Sequence, residues 1–346
     1  MRMEDIARLA GVSKSAVSFA LSGKPGISDE TRDRILQIAK ENGYLPKSRA
    51  TINEGAKSLT FLVFTNSGIV LEQYYQQPFF RELIQFMEER CRSKGYSLLF
   101  TSVDMEHFER DIQTIAEEKR SEGIILLGTN LSKDQIERVA DKLTSRLVVL
   151  DTCYDTLPVH FVEINNIMGG YQAGVHLCQN GHRDIGYIAS NGRMNNFEDR
   201  KRGFTAALQE NGIDIAEDHI FSVAPTILSS QDSLRAQLSA FIDTGKPMPT
   251  AFFCECDYIA ISAMKTLAEL GFSIPKDISI VGFDNITESR IVTPELTTVH
   301  VEKERTAQLA VDLLIQTIEL DPQVKTKLTV DTQFITRLST RSLTSS

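Results

Sequence analysis

Long apolar runs are missing from this chain of 346 residues. Its longest, such as Phe61–Phe64 and Leu147–Leu150, fall far short of the roughly 20 residues that cross a bilayer. No apolar stretch stands behind Met1-Arg2-Met3-Glu4-Asp5, so no secretory signal is visible and a cytoplasmic location is expected. Cysteine is scarce and odd in number. Cys91, Cys153, Cys178, Cys254 and Cys256 lack the spacing of a disulfide scaffold, as expected of a reducing compartment. Cys254 and Cys256 lie two apart in an apparent strand and share a face, but no His or Cys at ligand spacing joins them. They read as core thiols, and no metal is expected. Also missing are the phosphate-cradling G-x-x-x-x-G-K-[ST], the G-x-G-x-x-G turn, H-E-x-x-H and G-x-S-x-G. The six histidines are scattered, and His182 after Gly181 reads as a turn residue. Neither catalysis nor a cofactor is expected.

What is present is ordinary for a globular protein: 42% hydrophobic and 24% charged residues. The length suggests roughly two to three domains of about 150 residues. A net charge of −9 conceals an asymmetry, because residues 1–58 carry +3 and the rest −12. A basic head on an acidic body suits a DNA-binding module joined to one that does not bind DNA.

Three short helices fit the head. Ile6, Leu9 and Ala10 recur at helical spacing in the first, over about Met3–Ala10. Gly11-Val12 turns the chain, and Ser13 can cap a second helix over about Lys14–Leu21. The third follows Ser28, with Asp29 and Glu30 where carboxylates suit the helix dipole, and stops at Asn42-Gly43 before Pro46. On a helical wheel Val17, Ala20 and Leu21 of the second helix face inward. Ser15 and Phe19, flanked by Lys14 and Ser18, face out. A short helix with small polar residues outward is what a major groove admits. Lys14 and Ser15 can donate to bases or phosphates, and Phe19 can meet a thymine methyl.

Residues 47–58 read as a linker. Beyond it, apolar runs alternate with amphipathic helices in two series, which implies parallel sheets covered on both faces. The first series has strands at Leu59–Thr65, Tyr96–Val103, Gly123–Leu127 and Leu147–Leu150. The second has strands at Phe161–Ile164, Asp184–Ala189, Thr250–Cys254 and Ile278–Phe283.

The segments Glu4-Asp5-Ile6-Ala7-Arg8-Leu9-Ala10-Gly11-Val12-Ser13, Val17-Ser18, Ile27-Ser28-Asp29-Glu30-Thr31-Arg32 and Gly43-Tyr44-Leu45-Pro46 resemble the LacI/GalR family of bacterial transcription regulators. The likeness continues in Gly181-His182-Arg183-Asp184-Ile185-Gly186, in Val281-Gly282-Phe283-Asp284-Asn285 and in Thr293-Pro294-Glu295-Leu296-Thr297-Thr298-Val299. It implies an α/β protein: a three-helix helix-turn-helix head (1–46), a hinge (47–58), and a two-subdomain core like a periplasmic binding protein with three crossovers. These are expected near Pro158–Ile164, Ser289–Thr293 and Leu320–Lys327. The first subdomain is then 59–158 plus 293–320, and the second 159–292 plus 321–346.

The resemblance further implies a homodimer on a pseudo-palindromic operator, acting as a repressor of a carbohydrate-related operon under a small-molecule effector. The absence of a C-terminal heptad repeat favours a dimer over a tetramer. Control by a phosphorylated carrier protein, or a cytoplasmic solute-binding protein without sequence-specific DNA binding, are the alternatives. DNA contacts are expected from Ser13, Lys14, Ser15, Ala16, Ser18, Phe19, Ser28, Thr31, Tyr44, Arg49 and Ile52. Effector contacts are expected from Asn66, Phe79, Phe80, Asp151, Arg200, Asp257 and Asp284. Several positions depart from the family pattern. Phe19 stands where the family generally has Arg, and Ile52 is the one sizeable apolar residue offered by the hinge. Cys256 replaces a common Asn. An insertion over Ser67–Gln77 brings Tyr74 and Tyr75, expected at the rim of the cleft.

Phenylalanine cannot make the bidentate bond that arginine makes to guanine. Selection of bound duplexes from a random pool is therefore expected to recover a pseudo-palindrome whose preference at one half-site position moves toward guanine in Phe19→Arg. An unchanged half-site would remove Phe19 from the base-reading surface.

Overall fold

The computed structural model describes residues 3–22, 27–41, 57–66, 70, 73–118, 120–143, 146–226 and 229–344. The chain divides into two compact units, Met1–Ala56 and Lys57–Ser346.

In the first unit, helices α1 (Met3–Ala10), α2 (Lys14–Ser22) and α3 (Asp29–Glu41) enclose a small core of Ile6, Ala7, Ala10, Val17, Ala20, Ile35 and Ala39. Small residues at the contacts let three short helices approach closely. Gly11 takes φ 65° between α1 and α2, a left-handed conformation that glycine adopts without strain. The Ser13 hydroxyl accepts from Ala16 N–H at 3.2 Å and the Ser28 hydroxyl from Thr31 N–H at 3.3 Å. Both helix starts are thus capped by side chains, as the sequence suggests. Arg34 ties α3 to the end of α1 by donating to the Ala10 carbonyl at 2.7 Å.

The second unit contains, in order, β1 (Ser58–Thr65), α4 (Pro78–Ser93), β2 (Ser97–Asp104), α5 (Phe108–Glu118), β3 (Gly123–Leu127), α6 (Lys133–Lys142), β4 (Arg146–Leu150), β5 (His160–Ile164) and α7 (Asn166–Gln179). There follow β6 (Ile185–Ser190), α8 (Asn195–Glu210), β7 (Ile220–Val223), α9 (Ser229–Asp243), β8 (Ala251–Cys254), α10 (Asp257–Glu269), β9 (Ser279–Asp284), β10 (Thr297–Val301), α11 (Lys303–Leu320), β11 (Lys327–Val330) and β12 (Thr332–Ile335). Among the described residues they form two six-stranded sheets, ordered β11-β5-β4-β3-β1-β2 and β12-β10-β9-β8-β6-β7. Every strand pair is parallel except β10 with β12. Alternate residues of the first sheet enter different cores. Phe61, Ile125 and Val148 join one cluster, whereas Leu62, Ile124, Leu126 and Val149 join another. Both faces are covered, which is why the strands read as continuous apolar runs.

Pairing moves three strands across the expected boundaries. β5 and β11, both expected in the second subdomain, join the first sheet, where β5 pairs with β4 and with β11. β10 pairs with β9 and β12 in the second sheet, not with the first. The chain therefore crosses between lobes at Asn165, Glu302 and Asp331, not at the three expected segments. A short buried strand carries no mark of its sheet in its own residues; hydrogen-bond partners decide it. The crossovers are tied together: Asn165 Nδ2 donates to Asp331 Oδ1 at 2.8 Å, and Gln333 Nε2 to Glu302 Oε1 at 2.6 Å.

Helices α7 and α8 pack backbone against backbone. A Cβ on Gly203 would lie 1.9 Å from the Ile167 carbonyl oxygen, and one on Gly170 2.1 Å from that of Arg200. Gly203→Ala is expected to push α8 away at a cost of about 1–3 kcal/mol, read as a lower urea midpoint of the core transition. Equal midpoints would show that the helix pair has room to spare.

Candidate functional site

On the head, Lys14, Ser15 and Phe19 are exposed, Phe19 at 37%, and Ala16 is half-buried. The outward face inferred for α2 is therefore present. Ser13 and Ser28 sit at the two helix starts, and Ser28 also shares a 2.8 Å hydroxyl bond with Thr31. Tyr44, Arg49 and Ile52 lie outside the described residues, as does the side chain of Ser18.

In the second unit a cavity of about 430 Å³ opens between the lobes, where β4 and β9 end. Asp151 follows β4 and Asp284 ends β9, at φ 70° and 109°. Asn285 and Asn66, at φ 51° and 59°, share this left-handed backbone. Such φ values in residues with a Cβ are sterically costly and concentrate at binding sites.

Arg200 holds the floor. Its guanidinium is almost wholly buried and lies 3.1 Å from Asp284 Oδ1. It donates to Asn166 Oδ1 at 2.9 Å and to the Glu255 carbonyl at 2.6 Å. Its plane lies over the Phe283 ring, 3.7 Å from the centroid. Stacking and forked hydrogen bonding together suit arginine and not lysine. Phe79 and Phe80 line the opposite wall and meet edge to face at 5.3 Å. The Phe79 N–H donates to the Tyr258 hydroxyl at 3.1 Å, and Asn196 Nδ2 donates to the Asp151 carbonyl at 2.9 Å. Both bonds run from one lobe to the other and hold the cleft shut.

The two carboxylates line this space. Asp151 Oδ2 accepts from the Thr129 hydroxyl at 2.5 Å, Asp151 Oδ1 is buried without a hydrogen-bond donor, and Asp284 Oδ1 has the Arg200 ion pair at 3.1 Å. Burial pushes Asp151 up to about 6, against the pull of Thr129 and Arg200. Burial also raises Asp284, although Arg200 and Lys303 draw it down. The Cys256 thiol on the wall is raised by burial and by Asp284, and stays protonated. The site offers acceptors for hydroxyl or amino groups, a fixed cation and aromatic faces.

Asp257 is not on this wall. Its Oδ1 accepts from the Thr298 hydroxyl at 2.6 Å and its Oδ2 from Ile286 N–H at 3.0 Å. It is fully buried and pushed up to about 8 by burial and by Asp284. Its place is behind the cavity, securing the loop after β9. Asn66 does not reach the cavity either; it donates to Asp104 Oδ2 at 2.6 Å on the surface. Nor does the inserted segment rim the cleft with aromatics. Tyr74 is buried against Phe80 at 6.0 Å, and Tyr75 is half-exposed outside the cavity lining.

Sequence reasoning missed Thr129, Asn196, Tyr258 and the Glu255–Arg193 pair. Glu255 is fully buried; it accepts from the Tyr187 hydroxyl and Ser190 N–H at 2.6 Å each and from Arg193 at 2.8 Å. Its position between two thiols after a strand was the available signal. Among the described residues no group of three or more His, Cys, Asp or Glu is placed to hold a metal. No described helix is long and apolar enough to cross a membrane.

A three-helix head and a two-lobed core closing on a cavity define a DNA-binding regulator with a small-molecule site. Residues 2–47 match the bacterial regulatory proteins of the lacI family, and residues 175–340 match a periplasmic binding protein-like domain. The transcriptional repressor PurR of Pasteurella multocida is 30% identical over 342 residues, 98% of each chain. The ribose operon repressor of Haemophilus influenzae is 31% identical over 326 residues, 92% of each. A solved complex of the transcriptional regulator CelR with cellobiose has a TM-score of 0.71 at 24% identity, covering 98% of this chain and 99% of that one. The chain belongs to the lacI family of DNA-binding transcriptional regulators.

Asp151 titrates well above its ordinary value because its charge is buried. The stability of the empty cleft is therefore expected to gain as pH falls toward 5 and to lose that gain as pH rises through about 6. A ligand that donates to the ionised carboxylate reverses the preference. Its affinity is expected to hold above pH 6 and to fall by up to about tenfold per pH unit below, with proton release on binding near pH 6 measured by calorimetry in two buffers. A pH-independent affinity would show that Asp151 does not pair with the ligand.

Proposed function

We propose that this regulator is a homodimeric, cytoplasmic repressor of a carbohydrate-related operon, released from or tightened on a pseudo-palindromic operator by a polyhydroxylated ligand between the lobes. One observation carries the ligand class: a buried Asp151 oxygen without a donor and the Arg200–Asp284 ion pair lie together in a cavity with aromatic walls. A hydroxyl supplies the donor Asp151 lacks, neighbouring hydroxyls suit the Arg200–Asp284 pair, and the C–H face of a sugar ring suits Phe79 and Phe80. The cellobiose complex and the ribose operon repressor among the similar proteins support this class.

In this reading Arg200 and Asp284 orient the ligand, Asp151 accepts a hydroxyl, and the bonds of Asn196 and Tyr258 set how readily the lobes part. The head reads DNA with Lys14, Ser15, Ala16, Ser18 and Phe19, while Ser13, Ser28 and Thr31 approach phosphates. Tyr44, Arg49 and Ile52 add further DNA contacts in this reading. Phosphate contacts make operator affinity fall with salt.

The test combines thermal shift over a panel of pentoses, hexoses and disaccharides with fluorescence anisotropy on the selected operator. A binding sugar is expected to change operator affinity. Asp151→Asn and Asp284→Asn are expected to keep operator binding and lose about tenfold or more in sugar affinity, as expected when charge-assisted bonds are lost. Operator affinity indifferent to every sugar, or sugar affinity unchanged in both variants, would sink the reading.

A further inference from the structure

Glu255 answers two arginines that flank the start of α8. It stands in the turn between β8 and α10 and has no exposed surface. Its side-chain oxygens accept from Arg193 Nη1 at 2.8 Å each, and from the Tyr187 hydroxyl and the Ser190 N–H at 2.6 Å each. Its carbonyl accepts from Arg200 at 2.6 Å. Arg193 reaches in from the surface with its side chain 37% exposed. Its Nε also donates to the exposed Glu198 at 2.8 Å. Neither Glu255 nor Arg193 lines the cavity of the cleft.

A buried ion pair is a poor device for stability alone, because well-packed apolar residues of similar volume often serve as well. What this pair supplies is a fixed position. Residues 191–194 connect β6 to α8, and Met194, the residue before the helix, gives it no side-chain cap. Arg193 ties that connection to Glu255 and, at 3.2 Å, to the Ser190 carbonyl. The residues that follow are the ones that cross the cleft. Asn196 Nδ2 donates to the Asp151 carbonyl at 2.9 Å, and Asn195 Nδ2 to the Cys153 carbonyl at 3.5 Å. Met194 itself lines the cavity.

We propose that Glu255 and Arg193 are positioning residues of the inter-lobe cleft. Their ion pair holds the start of α8 where Asn195 and Asn196 reach the opposite lobe, and so sets how firmly the cleft shuts. The inference rests on the cleft being the ligand site, and not on the ligand being a sugar.

Hydrogen–deuterium exchange of the full chain, read by mass spectrometry, tests this without any ligand. Peptides covering 191–197 and, in the opposite lobe, 151–157 report the cleft; strands β3 and β10 report the fold of each lobe. Glu255→Gln and Arg193→Gln are each expected to speed exchange about tenfold in both cleft segments, as loss of a charge-assisted bond shifts a local opening equilibrium. β3 and β10 are expected to keep their native rates. A chain carrying both substitutions leaves no buried charge unpaired, which protects its fold, and is expected to show the same rise. Glu198→Gln removes only an exposed partner and is expected to change neither segment. In a chain with Asn195→Ala and Asn196→Ala, residues 151–157 already exchange fast, and adding Arg193→Gln is expected to quicken them no further. A rise confined to 191–197, a rise shared by β3 and β10, the same rise in Glu198→Gln, or a further rise when Arg193→Gln joins the asparagine variants would overturn the proposal. These rates do not depend on the sugar panel, so the two readings fail separately.

Discussion

The core is organised around one buried guanidinium. Arg200 touches the first crossover through Asn166, the end of β8 through the Glu255 carbonyl, and the end of β9 through Asp284 and Phe283. An arginine side chain taken out of water must have its charge and its donors answered, because a buried pair that loses one partner typically costs about 3–5 kcal/mol. Each of those answering groups is consequently fixed in place. The glycines of α7 and α8 are part of the same requirement. They bring α8 close enough to α7 for the guanidinium to reach Asn166.

That arrangement explains why the cleft carries strain and incomplete hydrogen bonding together. Asp151 and Asp284 end strands in left-handed backbone, which aims their carboxylates across the gap. Asp151 Oδ1 has no donor in the protein, and Asp284 Oδ1 is answered by Arg200. Strained positions persist only where the surrounding structure over-determines them, and they cluster at ligand clamps and switch regions. Polar contacts from Asn196 and Tyr258 close the lobes across the gap, and the crossovers at Asn165, Glu302 and Asp331 are the only backbone links between the two sheets among the described residues. Changes in lobe angle therefore pass through three short, mutually hydrogen-bonded segments.

Much of this was legible in the residues. The head helices, their serine caps and the outward Phe19 follow from helical periodicity and capping chemistry. Arg200, Asp151 and Asp284, expected together on the family's motifs and their place at strand ends, line one cavity. Asp257 was misassigned because an acid at a helix start after a strand looks the same whether it faces a cavity or a loop; Thr298, distant in sequence, claims its oxygen. Tyr74 was expected at the cleft because an inserted aromatic reads as exposed, yet its ring completes the core beside Phe80. His160 drew no attention as one of six scattered histidines. Its place depends on a backbone amide at Thr326, brought to it by the chain entering β11.

Composition and local pattern by themselves determined the class of protein: a basic helical head and an α/β body with parallel sheets. These properties arise from side-chain periodicity and charge, which are local. Tertiary structure alone decided which sheet each strand joins, where the chain crosses between lobes, and which buried acid of the cleft is left with an unpaired oxygen. Those outcomes depend on hydrogen bonds between residues far apart in the chain, such as β5 with β11 and Asp257 with Thr298, and no window of sequence contains both partners.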